Sequence, residues 1–257
     1  MIEISKKITT NVGRTNAQFG LIKENDRIMI GFSGGKDSLT LLHTLNRMQK
    51  KAPFKFDFKA VTITYGMGEQ IEFLSNHCKE HGIEHEIIDT QIFDLAGEKI
   101  RKNSSFCSFF SRMRRGYLYT TALEQGYNKV ALGHHLDDAM ESYFMNLFYN
   151  GTMRTMPPIY KASNGLEVIR PLIFCRERQL RAFADSNEIR VIGDEACPGL
   201  RFDVKMPHAR ATTKELLAKL EEQNPKIFVS MKAAFSNIQL PTFFYNNLKD
   251  INLNIED

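Results

Sequence analysis

The segment Ser33-Gly34-Gly35-Lys36-Asp37-Ser38 has the residue types of an anion cradle. Glycines at 31, 34 and 35 let the backbone turn sharply and approach a ligand without Cβ clashes. The amides of Gly34, Gly35 and Lys36 can then converge at a helix N-terminus, where backbone N–H groups favour phosphate. Lys36 adds a mobile positive charge, and Ser33 and Ser38 add hydroxyls. Each charge-assisted bond of this kind is worth roughly 1.5–3 kcal/mol. The loop is not a Walker A motif: Ile30 stands where the first glycine would be, and Asp37 follows the lysine.

A second segment, Gly133-His134-His135-Leu136-Asp137-Asp138, has the composition of a strand-to-helix turn. Ligands of open parallel sheets gather at the carboxyl ends of strands, so this turn can face the glycine loop. Gly133, His134 and Asp137 would help line the nucleotide site. Two adjacent carboxylates there could hold Mg²⁺, which prefers oxygen ligands and phosphate. They could equally serve the dipole of a helix first turn, and spacing does not choose between Asp137 and Asp138.

Six basic residues and no acidic one lie between Lys99 and Arg115, interleaved with Phe106, Phe109 and Phe110 and followed by Tyr117. Cations beside rings suit phosphates and unpaired bases of single-stranded RNA; a solvated helix face over core aromatics is the alternative. Lys205, His208 and Arg210 could form a second patch. A net charge of +4 is compatible with an RNA partner without requiring one. The four cysteines, Cys78, Cys107, Cys175 and Cys197, show no short paired spacing. With no secretory leader and no long apolar run, the expectation is a cytoplasmic protein with reduced thiols and no membrane span. Cys78 and Cys175 read as core packing. The seven histidines show no metal-ligand spacing beyond the neighbours His134 and His135.

The elements that must position these groups alternate. Strands are predicted over 27–32, 58–64, 84–89, 129–133 and 168–174, and helices over 38–48, 70–81, 111–125, 136–149 and 177–187. This is an α/β pattern, a parallel sheet with helices on both faces. Helices over 212–222 and 225–237 follow a charged loop over 187–210. The expected organisation is an α/β domain over 1–187, with an N-terminal segment 1–25, and a loop and helical C-terminal extension over 188–257.

Ser-Gly-Gly-Lys-Asp-Ser after a strand resembles the PP-loop of ATP pyrophosphatases, which grips the pyrophosphate leaving group while the α-phosphorus is attacked. Other stretches narrow the resemblance to the tRNA 2-thiocytidine synthetases, the TtcA family. They are Asp26-Arg27-Ile28-Met29, Ser111 to Tyr119, Ala131 to Asp138, Asn146-Leu147-Phe148-Tyr149, Met156-Pro157-Pro158, Arg170-Pro171-Leu172 and Cys175-Arg176-Glu177. The match runs from about residue 4 to about residue 240. It implies ATP and Mg²⁺, a tRNA anticodon-loop cytosine adenylated at its 2-carbonyl, and replacement of AMP by sulfur from a donor such as a cysteine desulfurase. A homodimer is the expected assembly.

Ordinary members hold a 4Fe-4S cluster on three cysteines, two of them in a Cys-x-x-Cys before the Arg-Arg-Gly helix. Here that motif reads Cys107-Ser108-Phe109-Phe110, so Phe110 replaces the second ligand, while Cys107 and Cys197 match the other two. The resemblance leaves three possibilities open. A cluster persists on Cys107, Cys197 and another ligand; or Cys107 carries a persulfide that Cys197 resolves; or the chain adenylates without thiolating. In the persulfide case Arg112, Arg114 and Arg115 would favour the Cys107 thiolate, with Arg114 and Asp138 joining the cysteines as catalytic candidates.

Overall fold

A computed structural model describes residues 2–99, 106–193, 198 and 209–243; the side chains of 97–99, 106–108 and 241 lie outside that description. Residues 1–210 pack as one compact unit and 211–257 as a second. In the first, β1 (Arg27–Gly31), β2 (Asp57–Ile63), β3 (His85–Ile88), β4 (Lys129–Ala131) and β6 (Glu167–Ile169) are parallel. A short β5 (Ile159–Lys161) runs antiparallel beside β6, completing the order β3-β2-β1-β4-β6-β5.

The period-2 geometry of strands decides which residues build which core layer. In central β1, Ile28 and Ile30 enter one hydrophobic cluster while Met29 enters the other, and all three are fully buried. The first cluster collects α1 (Lys6–Phe19), α2 (Lys36–Lys51), α3 (Glu72–Glu80) and α7 (Glu177–Ser186) through Ile8, Leu41, Leu45, Leu74 and Leu180. The second collects α4 (Ile92–Lys99) and α5 (Phe106–Glu124) through Ile92, Ala96, Phe110 and Leu118. Each buried aliphatic side chain contributes about 1.5–3 kcal/mol. Within the sheet, the buried Lys129 ammonium lies 3.0 Å from both Asp26 and Glu167 and donates to the Leu21 carbonyl at 2.8 Å.

The α/β expectation holds, with differences in detail. Helix α1 arises within the segment taken as an N-terminal lead, capped by the Ser5 hydroxyl, which accepts from the Ile8 amide. The strand expected to continue to 174 ends at Ile169, because Pro171 has no N–H for a ladder; the chain instead turns, with Ile173 bonding to Arg170 and Cys175 to Leu172. Helix α6 (Leu136–Asn150) follows β4. Helix α8 (Ala209–Gln223) follows, and the second unit also holds α9 (Ile227–Ala234) and, among the described residues, a 3-10 turn over Leu240–Thr242. No helix among the described residues is long and apolar enough to cross a membrane.

Candidate active site

Neighbouring strands β1 and β4 carry the two chemical segments on their carboxyl ends. After β1 the chain turns through Gly34, whose φ of +77° is accessible at low cost only to glycine. A Cβ at Gly34 would also stand 2.7 Å from Ile192 and 2.9 Å from Leu74. Gly35 caps α2 without a side-chain acceptor for the helix amides. The loop is braced internally: the Ser33 amide donates to Ser38 Oγ at 3.2 Å, and Ser38 Oγ donates to the Gly35 carbonyl at 3.0 Å. From outside, the Ile192 amide donates to the Gly34 carbonyl at 2.8 Å.

The turn after β4 packs directly on this loop. A Cβ at Gly133 would lie 3.1 Å from the Asp37 carbonyl carbon and 3.2 Å from the Ser38 amide nitrogen, both backbone atoms. Glycine at 133 is therefore what allows the two turns to touch. His135 then caps α6: its Nδ1 accepts from the Asp138 amide, and the Asp138 carboxylate accepts from the His135 amide at 3.0 Å. His135 Nε2 lies 3.4 Å from the Asp138 carboxylate and 3.8 Å from Asp37 Oδ1.

The three aspartates therefore differ. Asp137 turns to α7, where it is held by the Arg176 guanidinium at 3.0–3.2 Å and accepts from the Glu177 amide at 2.7 Å. Asp138 faces the glycine loop across His135 and is bound by Arg210, which also holds Glu141 at 2.7 Å. Burial opposes ionisation of Asp138, but His135 and Arg210 outweigh it and hold its pKa below the usual carboxylate range. Asp37 is pushed the other way, chiefly by burial, with His135 and Lys36 offsetting part of the effect. Its buried Oδ1 has no hydrogen-bond partner among the described residues. Lys36 sits 3.4 Å from Asp37 and 3.3 Å from Glu177; burial works against its charge, yet the two carboxylates raise its pKa.

These contacts suit a magnesium nucleotide. The glycine turn and open α2 terminus fit phosphate, and the orphaned Asp37 oxygen beside Asp138 fits a hard cation. His134 turns to Arg170: its Nδ1 accepts from Arg170 at 3.3 Å, and burial followed by Arg170 pushes its pKa down to about 4. Glu177, Arg176 and Ile192 are not among the expected site residues, and His135 enters the expectation only as part of the Gly133–Asp138 turn. Only Cys175-Arg176-Glu177, within the family resemblance, pointed towards two of them.

The second half of the expected site divides differently. The backbone of α5 places Cys107 in its first turn, but that side chain and the whole of Cys197 lie outside the described residues. Phe110 is buried, with its ring edge-on to Tyr65 at 5.5 Å and to Phe109 at 5.6 Å. A buried phenyl ring supplies no donor to iron, so the residues present do not fit the three-thiolate cluster. Phe109 and Phe110 are core, which removes them from the expected base-stacking surface. Arg114 donates to the Tyr65 hydroxyl at 2.8 Å and lies over that ring, while Arg112 is exposed. Arg210, expected on an RNA-facing patch, is instead turned onto Asp138 and Glu141. Cys78 and Cys175 are buried, and burial pushes both thiols up to about 12, as inert packing requires.

Comparison with known proteins accounts for this assembly. The PP-loop domain family profile matches residues 4–205. The tRNA-cytidine(32) 2-sulfurtransferase of Geobacter metallireducens is 44% identical over 237 residues, spanning 91% of this chain and 90% of the relative. The chain belongs to this PP-loop sulfurtransferase family. The Pseudomonas syringae tRNA-cytidine(32) 2-sulfurtransferase is 37% identical over 260 residues, 99% of this chain and 92% of its own length. Among solved structures, the U34-tRNA thiolase NcsA of Methanococcus maripaludis, with its 4Fe-4S cluster, superposes with a TM-score of 0.71. That match covers 90% of this chain and 77% of the thiolase at 23% identity, so it carries the fold alone.

Proposed function

We propose that this sulfurtransferase family member is a cytoplasmic, ATP-dependent enzyme that adenylates the 2-carbonyl of a tRNA cytidine and replaces that oxygen with sulfur. The relatives are named for cytidine 32, which supports that position as the target here. The observation that carries the reading is the contact of the Gly133 turn with the glycine loop, which gathers Lys36, Asp37, His135 and Asp138 on one side of the α2 terminus.

In this reading Ser33, Gly34, Gly35 and Ser38 hold the β- and γ-phosphates with the α2 amides, and Lys36 neutralises the departing pyrophosphate. Asp37 and Asp138 hold Mg²⁺, which would supply charge neutralisation along the phosphates. Asp137 acts through Arg176 and the α7 terminus, positioning Glu177 against Lys36. The cytosine oxygen attacks the α-phosphorus, pyrophosphate leaves, and the activated C2 then accepts sulfur as AMP departs.

The Phe110 ring in the core favours thiolation on cysteines over a cluster. Cys107 would carry a persulfide supplied by a desulfurase-type donor, and its outer sulfur would attack C2 as AMP leaves. The Cys197 thiolate would then attack the Cys107 sulfur, freeing the thiolated base and leaving a Cys107–Cys197 disulfide for an external thiol to reduce. The test of the adenylation half is pyrophosphate release from ATP with and without an unmodified tRNA transcript. Release that rises with tRNA and disappears in Lys36→Met is expected; release indifferent to tRNA would overturn the assignment in favour of a small-molecule adenylase.

A further inference from the structure

Three histidines unrelated to the phosphate chemistry meet behind the glycine loop. His43 lies on α2, two helical turns beyond Lys36, and His77 and His81 lie one turn apart at the end of α3. The i, i+4 spacing of His77 and His81 is a metal-ligand spacing in its own right, which the sequence reading passed over; the third ligand comes from a different helix. One ring nitrogen from each histidine lies within 4.8 Å of the other two. His43 is buried, and the other two rings are half-buried.

A plain hydrogen-bonded cluster accounts for only part of this arrangement. His43 Nε2 and His77 Nε2 are 2.7 Å apart, one donating and the other accepting. His81 Nε2, however, is buried with no hydrogen-bond partner among the described residues, although its ring centroid lies 4.6 Å from that of His77 and 4.9 Å from that of His43. Leaving a buried polar nitrogen unsatisfied is destabilising. A cation between the three rings would satisfy it.

We propose that His43, His77 and His81 form a zinc-class divalent metal site tying α2 to α3 behind the phosphate loop. Three imidazoles are borderline-soft ligands, suited to Zn²⁺ and unsuited to Mg²⁺, so this metal is distinct from the one that accompanies ATP. Zn–N bonds of about 2.0–2.1 Å in a tetrahedron place ligand nitrogens about 3.3 Å apart. The His43–His77 pair must therefore open by roughly 0.6 Å from its 2.7 Å spacing, with His81 closing in. Burial, reinforced by the neighbouring histidines, lowers the pKa of His43 to about 3, and that of His77 is lowered as well. Neutral imidazoles are the form a divalent metal requires. His77 also lines a cleft of about 240 Å³ with Leu39, Leu74, Asn76, Glu80 and Arg190, which leaves room for a water as fourth ligand. Leu74, on the same helix as His77, is with Ile192 one of the two side chains that a Cβ at Gly34 would strike, so a metal here would stiffen the floor of the phosphate loop.

The test uses the full chain without a polyhistidine tag, stripped with chelator, reloaded with one equivalent of Zn²⁺ and gel-filtered. Metal is counted by mass spectrometry. Wild type and the Cys107→Ser/Cys197→Ser double variant should each retain about one zinc, while His77→Gln and His81→Gln should fall below about a fifth of that. Zinc should also raise the wild-type Tm by roughly 5 °C or more and leave the His81→Gln Tm unmoved. Should the histidine variants fail to fold, the Co²⁺-loaded wild type decides: visible bands without thiolate charge transfer indicate nitrogen ligation. A wild type that retains no zinc, zinc lost with the cysteines, or a thiolate signature in the cobalt spectrum would each overturn the proposal.

Discussion

Replacing Gly133 by alanine adds one methyl group where two functional turns touch. The new Cβ would lie 3.1 Å from the Asp37 carbonyl carbon, 3.2 Å from its oxygen and 3.2 Å from the Ser38 nitrogen, against an ordinary contact of 3.4 Å or more. These are backbone atoms in the first turn of α2, so no side chain can rotate away, and the turn must retreat by about 0.3 Å. Gly133 does not have a positive φ, so the penalty is steric rather than torsional. Overpacking of this kind costs about 1–3 kcal/mol, equivalent to a Tm loss of about 2–4 °C per kcal/mol in a chain of this size. If ATP draws the displaced turn back into place, the same strain is subtracted from nucleotide affinity, weakening it roughly 5- to 150-fold. Thermal melts and ATP titration by calorimetry measure the two effects. Gly116→Ala is the control: its Cβ would meet nothing within 4 Å in the interior of α5, and alanine there should be neutral or stabilising by up to about 1 kcal/mol. Wild-type Tm and ATP affinity in Gly133→Ala would refute the claim that this contact sets the loop.

Other perturbations separate the roles assigned to neighbouring residues. Asp137→Asn should cost about 1–3 kcal/mol in urea melts through loss of Arg176 and the α7 amide, whereas Asp138→Asn should keep the fold and reduce pyrophosphate release at least about a hundredfold; the opposite pattern would exchange their roles. Wild type should carry far less than one cluster of iron after anaerobic reconstitution. Phe110→Cys should gain iron at a cost of about 3–5 kcal/mol for the vacated ring volume, and stoichiometric iron in wild type would contradict the reading of Phe110. His43 is buried and His85 and His134 are half-buried, with pKa values pushed down to about 3, 4 and 4, chiefly by desolvation. The unfolded chain, titrating near 6.5, binds protons that these sites refuse, so stability is full above about pH 6.5 and falls towards pH 4 by about 1.4 kcal/mol per unit per histidine. Urea midpoints in chelator between pH 7.5 and 5.0 check this, and a flat profile would contradict it.

The strand–helix alternation around the glycine loop was legible because β1 and β4 are short apolar runs that end in glycine turns. Helix α1 was not: three threonines, Asn11, Asn16 and Gly13 dilute its helical propensity. Its buried stripe nevertheless has helical spacing, Ile8 and Val12, with Ile4 just before it. Three-residue β5 is too short to show any period, and its place is set by pairing with β6. At the site, composition identified the residues but not their directions. Asp137 and Asp138 are adjacent in sequence, yet a helix fans successive side chains about 100° apart, sending one to Arg176 and the other towards the phosphate loop. Of the rings expected to stack on bases, Phe109 and Phe110 lie in the core because the apolar face of α5 covers the sheet, and the Phe106 side chain lies outside the described residues. The His43–His77–His81 cluster joins two helices, and only the fold brings His43 to the other two.

The most direct test of the central claim is nucleoside analysis by mass spectrometry of an unmodified tRNA transcript, incubated with this chain, ATP, Mg²⁺ and a persulfide-generating cysteine desulfurase. The account predicts a cytidine at position 32 carrying sulfur in place of its 2-oxygen, formed only with ATP and absent from Lys36→Met and Cys107→Ser. Unaltered cytidine in the presence of tRNA-stimulated pyrophosphate release would contradict it, leaving an enzyme that activates the base for a different nucleophile.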